Sequence, residues 1–260
     1  MGTSGTESAP GFRFDPGLIL FGAAIIALGA QNIISAKDVT QLMGPGYNVI
    51  PVLPYLPSIS WLADVLGAVW VVLGAGLLFR RTLLPSALAL GTILFLCAVI
   101  VAAPKNAAHF GDVGLRTGVF EPLAMASLAW LLPGVAAIPR FLALAACWIF
   151  AVSLVIFGVD HFLVLQFIAG FVPSWLPWHT FWSVFFGVAF IAAGIGIALN
   201  VLARWSYVGI ALMFGIWVVT LHLPRVFHAL HDPDEWSSFF IALSLWGGSW
   251  SVALREKPPA

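Results

Sequence analysis

Charge is scarce in this chain. Asp, Glu, Lys and Arg make up 8% of its 260 residues, against 61% hydrophobic residues and a mean hydropathy of +1.03, a balance outside the range of soluble domains. Cysteine is scarce too. Cys97 and Cys147 stand alone in apolar runs, so a CxxC dithiol that exchanges electrons with a quinone is not expected. Gly-rich phosphate loops, a GxSxG elbow and a dinucleotide fingerprint are absent. The 11 basic and 11 acidic residues cancel, so no nucleic-acid partner is expected.

What remains is long apolar runs. Stretches able to span about 30 Å of hydrocarbon occur near 17–34, 61–79, 84–103, 119–138, 141–168, 180–200, 205–223 and 236–254. The reading is an all-α polytopic membrane bundle of eight transmembrane helices. The residues before the first run carry one Arg and two acids, unlike a cleavable signal peptide. Residues 1–16 therefore read as a disordered tail on a retained helix, and 255–260 as a second tail.

Orientation follows from the basic residues. With the N-terminus inside, Arg13, Arg80, Arg81, Arg140, Arg204, Arg255 and Lys257 fall on the cytoplasmic side, against Lys37, Lys105, Arg116 and Arg225 outside. Both termini are expected in the cytoplasm. All six histidines then lie towards the outer face, which places any chemistry there.

The two halves of the chain resemble each other. "ALGAQNIISAKD" at 27–38 matches "IFGVDHFLVLQF" at 156–167, "VIPVLPYLP" matches "FVPSWLPWH", and Gly67, Gly74 and Gly76 match Gly187, Gly194 and Gly196 at constant spacing, as does Pro104-Lys105 with Pro224-Arg225. The chain reads as two four-helix repeats, 17–139 and 140–254. Four spans return a chain to its starting side, so the repeats are parallel. The Gly- and Ala-rich runs suit close helix approach, because lipid supplies no hydrophobic drive between helices. Pro51, Pro54 and Pro57, and likewise Pro173 and Pro177, predict irregular caps on the outer surface.

Asp160 and His161 sit near the outer end of the fifth span, where the first half has Gln31 and Asn32. Adjacent helical residues point about 100° apart, so each needs its own partner on a neighbouring helix or in a wet crevice. An ionisable side chain at that depth costs a few kcal/mol or more unless paired, which marks a candidate functional site; hydration at the headgroup level is the plainer alternative. Trp175, Trp178 and Trp182 fit an interfacial belt or the roof of a cavity, with His179 beside them.

A second cluster, "LHLPRVFHALHDPDEW" at 221–236, contains His222, Arg225, His228 and His231. His228 and His231 share a helical face with Asp232 nearby, but no HExxH motif or other dense donor set accompanies them, so no metal is expected. Haem is not expected either, since only His161 and His222 lie deep. Asp232, Asp234 and Glu235 read as the cap and first turn of the last helix. Glu121 before Pro122 reads as the opening of the fourth.

The Gly-containing first helix, a polar pair as in "GVDHF", the "VPSWLP" connection and a Gly-rich second helix together resemble the DoxX-like membrane proteins. The resemblance extends over both halves, roughly Phe21 to Leu254. It implies a helical bundle in a prokaryotic cytoplasmic membrane and, as in some relatives, a subunit of a quinone-linked oxidoreductase. On that reading Asp160 and His161 handle the proton that accompanies electron transfer, as an imidazole with an unperturbed pKa near 6.5 can. His222, Arg225 and His228 orient carbonyl oxygens, Trp175 and Trp178 cover the ring, and a soluble subunit serves as redox partner. The alternative is a non-enzymatic module that carries a lipid or small solute, or assists membrane assembly. Transport is disfavoured by the absence of an evident deep charge pair.

Overall fold

The computed structural model describes residues 15–43 and 60–256, and all its regular elements are helical. They are α1 Pro16–Met43, α2 Ser60–Leu77, α3 at 83–107, α4 Val113–Leu131, α5 Arg140–Leu163, α6 His179–Ala198, α7 at 203–228 and α8 Pro233–Arg255, with short helices at Val135–Ala137 and Leu165–Ala169. Residues 1–14, the connection bearing Pro51, Pro54 and Pro57, and residues 257–260 lie outside the described residues.

Among the described residues, six helical stretches are long and apolar enough to cross a membrane: Pro16–Ser35, Leu83–Lys105, Arg140–Leu163, His179–Ala198, Ala203–His228 and Pro233–Arg255. The apolar run of α2 is shorter. Large apolar side chains such as Phe141, Val72, Phe79 and Trp205 face outward, which only a hydrocarbon solvent accommodates at this density. The protein is a helical membrane bundle.

Two prolines set the shape of α3 and α7. A π-helical segment, Cys97–Ala102, stands just before Pro104, and another, Val218–His222, just before Pro224. Proline lacks the N–H and its ring crowds the carbonyl four residues back, here Ile100 and Thr220; one wider turn absorbs both defects.

Two of the helix boundaries that differ from the sequence expectation shape the site. The fourth helix begins at Val113 rather than near 119, because Asp112 caps it through a 3.0 Å bond from Leu115 N–H to Oδ1. Pro122 is therefore inside α4, buried among neighbours that tolerate the lost hydrogen bond. The fifth helix ends at Leu163 rather than 168. Val164 leaves the helical region (φ −120°, ψ 39°), and a short helix, Leu165–Ala169, follows. The expected cap of α8 is present: Asp232 accepts from Asp234 N–H at 2.9 Å, with Pro233 at the first helical position.

Consecutive helices pack side by side, α8 returns to α1, and α4 packs on both α5 and α8. Glycine sets the tightest crossings. A Cβ at Gly29 of α1 would lie 2.5 Å from the Gly67 carbonyl oxygen of α2, and one at Gly158 of α5 would lie 2.6 Å from the Gly187 carbonyl oxygen of α6. Phe21, Trp70, Phe150, Phe190 and Tyr207 fill the interior. At the end opposite the polar pair, Asp15 caps α1 at Leu18 N–H (3.0 Å), accepts from Ser251 Oγ at 2.7 Å and pairs with Arg255. The first turn of α1 is thereby tied to the last of α8.

Candidate functional site

The site forms where α5 ends and α4 begins. Asp160, on the last turn of α5, is buried, and its partner is Arg116 in the first turns of α4. Arg116 Nε donates to Asp160 Oδ1 at 2.8 Å, one Nη donates to the same oxygen, and the other reaches the Phe110 carbonyl at 2.7 Å. A deep charge pair therefore exists, contrary to the sequence reading. The early start of α4 explains the difference: the Asp112 cap brings Arg116 into the helix instead of leaving it in an outer loop. Asp160 Oδ2 is buried without a hydrogen-bond partner.

His161 turns the other way, as the 100° step requires. Its Nδ1 lies 2.8 Å from the Phe157 carbonyl oxygen, so Nδ1 carries the proton and Nε2 the lone pair. Nε2 is buried and unpartnered. The imidazole stacks on Trp217 (ring centroids 5.8 Å, interplanar angle 16°) and meets Phe190 edge-on at 5.3 Å.

These groups line a cavity of about 720 Å³. Gly111, Asp112, Val113 and Gly114 belong to one wall; Thr117, Glu121, Asp160 and His161 supply polarity, and Phe157, Phe190, Phe214 and Trp217 an aromatic surface. Glu121 does not open its helix as its sequence context implied. It lies inside α4, lines the cavity, and makes no hydrogen bond to a described residue. A second cavity of about 250 Å³ shares His161, Ile168 and Trp217 with the first, and is otherwise lined by such residues as Phe171, Pro173, Leu176, Trp182, Phe186 and His222.

The other candidate residues are distributed around this centre. His222 lines the smaller cavity, with a buried, unpartnered Nδ1. Arg225 is engaged: its Nε donates to Glu235 Oε2 at 2.8 Å, a second nitrogen pairs with Oε1, and the guanidinium lies 4.7 Å from the Phe171 ring centre. Trp175 and Trp178 are exposed and line neither cavity, while Trp182 lines the smaller one and donates to the Pro177 carbonyl at 3.0 Å. Trp178 precedes α6 with a left-handed backbone (φ 61°). His179 opens α6, half-buried, and its carbonyl accepts from Ser183 Oγ. His228 is exposed at the end of α7. Among the described residues no group of three or more His, Cys, Asp or Glu is placed to hold a metal.

Arg116, Glu121, Phe157, Phe190, Phe214 and Trp217 were not singled out as site residues from sequence. One signal pointed to Arg116: a membrane-buried Asp160 needs a cation on its own side of the bilayer, and few were available. The aromatic wall left no such trace, since its residues sit in helices apolar on every face. Comparisons with protein-family models, curated proteins and solved structures found no match to this chain.

Proposed function

We propose that this protein binds a small, mostly apolar redox molecule of the quinone class in the cavity between α4, α5, α6 and α7. One observation carries the reading: buried polar atoms of Asp160 and His161 lack protein partners beside an aromatic cavity of about 720 Å³. An orphaned polar atom inside a membrane bundle is costly, and the cost is recovered when a ligand pairs with it. The volume falls within the range of small-molecule sites. Trp217 and Phe190 offer faces and edges to a ring, and the smaller apolar cavity beyond His161 suits an alkyl tail.

In this reading the Arg116–Asp160 pair fixes the end of α5 against α4 and so positions His161. His161 and Glu121 exchange protons with ligand oxygens, and a soluble partner subunit exchanges the electrons. The DoxX-like resemblance and the two parallel four-helix repeats belong to the same proposal. So do a prokaryotic cytoplasmic membrane location and cytoplasmic termini, which set the cavity towards the outer face. The apolar second cavity equally favours a carrier of a lipid or small solute that performs no chemistry.

Native mass spectrometry of the protein gently extracted from its own membrane tests this. A co-purifying quinone that is lost in His161→Ala is the expected result. Phospholipid alone, retained by His161→Ala, would favour the carrier.

A further inference from the structure

The main cavity is unbalanced in hydrogen-bond polarity. Asp160 Oδ2 and His161 Nε2 are acceptors, both buried and both without a protein partner. Nε2 is held in that role because Nδ1 donates to the Phe157 carbonyl. Glu121 presents an acceptor oxygen in either protonation state, with an O–H donor beside it when protonated. The donors nearby are largely committed. Arg116 gives three of its N–H groups to Asp160 and the Phe110 carbonyl, and Thr117 Oγ1 donates to the Val113 carbonyl at 2.8 Å. Among the described residues that line the cavity, the side-chain donors outside these bonds are the Trp217 indole N–H and the O–H of a protonated Glu121.

We infer that the site takes the reduced, hydroxyl-bearing form of its ligand, an aromatic diol, in preference to the oxidised dione. The inference rests on the quinone-class reading above. A diol brings two O–H donors to a wall of acceptors and can still accept from Trp217. A dione brings acceptors only, and offers no donor to Asp160 or His161. Sites with buried polar groups discriminate strongly against a ligand that lacks the complementary group.

The test is a titration of the full chain in lipid nanodiscs, read by tryptophan fluorescence, with three probes under argon: decyl-ubiquinol, decyl-ubiquinone and the dimethyl ether of the quinol. The ether keeps the ring and tail but has no donor. The expected result is that the quinol binds about tenfold more tightly than either other probe, the discrimination of roughly one net hydrogen bond. Equal or tighter binding of the quinone would overturn the preference and leave the quinone-class reading standing. If no probe binds, both fail. Glu121→Gln puts a permanent N–H₂ donor where Glu121 has one only when protonated, and in this variant the preference should shrink to about threefold or less. His161→Phe, which keeps a ring against Trp217, should shrink it independently. A preference unchanged in both folded variants would remove these acceptors from recognition.

Discussion

Positions matched by the sequence similarity of the two halves make different contacts. In the first half Gln31 donates to the Pro233 carbonyl at 2.6 Å and to Ser237 Oγ at 3.2 Å, reaching the start of α8. In the second half Asp160 reaches the start of α4 and meets Arg116 there. Next to Gln31 stands Asn32, fully buried with both amide atoms unpartnered; next to Asp160 stands His161, on the wall of a cavity. By the sequence similarity of the halves, Phe157, Phe190, Phe214 and Glu121 of the cavity correspond to Leu28, Trp70, Leu94 and Ile241; all but Glu121 are buried, so the polar difference at this level is Glu121 against Ile241. The helix crossings are equally close in both halves. Backbone spacing therefore does not distinguish the two halves here; the polar side chains at the helix ends do.

The sharpest way to test that contrast is to remove the charge on one side. Arg116→Met should destabilise the protein by about 3–5 kcal/mol, because it leaves Asp160 as an unpaired buried carboxylate. Gln31→Leu, at the matching contact, should cost only about 1 kcal/mol. Unfolding equilibria in nanodiscs measure both, and Arg116→Met/Asp160→Leu should recover most of the larger loss. If Gln31→Leu proved the more damaging, the ionic contact would not be the stronger anchor.

Glycine substitution asks whether the two crossings are equivalent. Gly29→Leu and Gly158→Leu should each cost about 1–3 kcal/mol by forcing backbones apart. Strongly unequal losses would break the comparison at its base.

Smaller effects are expected at the neighbouring residues. His161→Asn copies the first half, and should weaken ligand binding about tenfold while moving stability by less than about 1 kcal/mol. Asn32→Leu should leave stability unchanged or raise it by about 1 kcal/mol, since it removes two unpartnered polar atoms from a filled interior. A marked loss in that variant would show that Asn32 has a role the packing does not reveal. The least effect belongs to Arg225→Ala. Its pair with Glu235 is partly exposed, so about 0.2–1 kcal/mol is at stake.

Some of this was legible in the residue order. Hydropathy located the long helices, the acids Asp232, Asp234 and Glu235 marked the start of α8, and Gly67 and Gly187 marked close approach. Asp160 and His161 stood out because ionisable groups are rare in such helices. The start of α4 was misread, as Glu121-Pro122 resembled a helix opening while Asp112 supplied a stronger cap upstream. That error hid both Arg116, 44 residues from its partner, and the place of Glu121 on the cavity wall.

The solvent of this protein follows from composition alone: with so few charges and such long apolar runs, hydrocarbon is the only medium in which the outward faces are stable. Helical structure follows in turn, because backbone groups in a bilayer must pair within their own segment. Which side chains meet in the cavity was decided by tertiary structure. Core-facing and lipid-facing surfaces of these helices are both apolar, so hydrophobic periodicity does not reveal how each helix is rotated. That rotation turned Asp160 towards Arg116 and His161 towards Trp217.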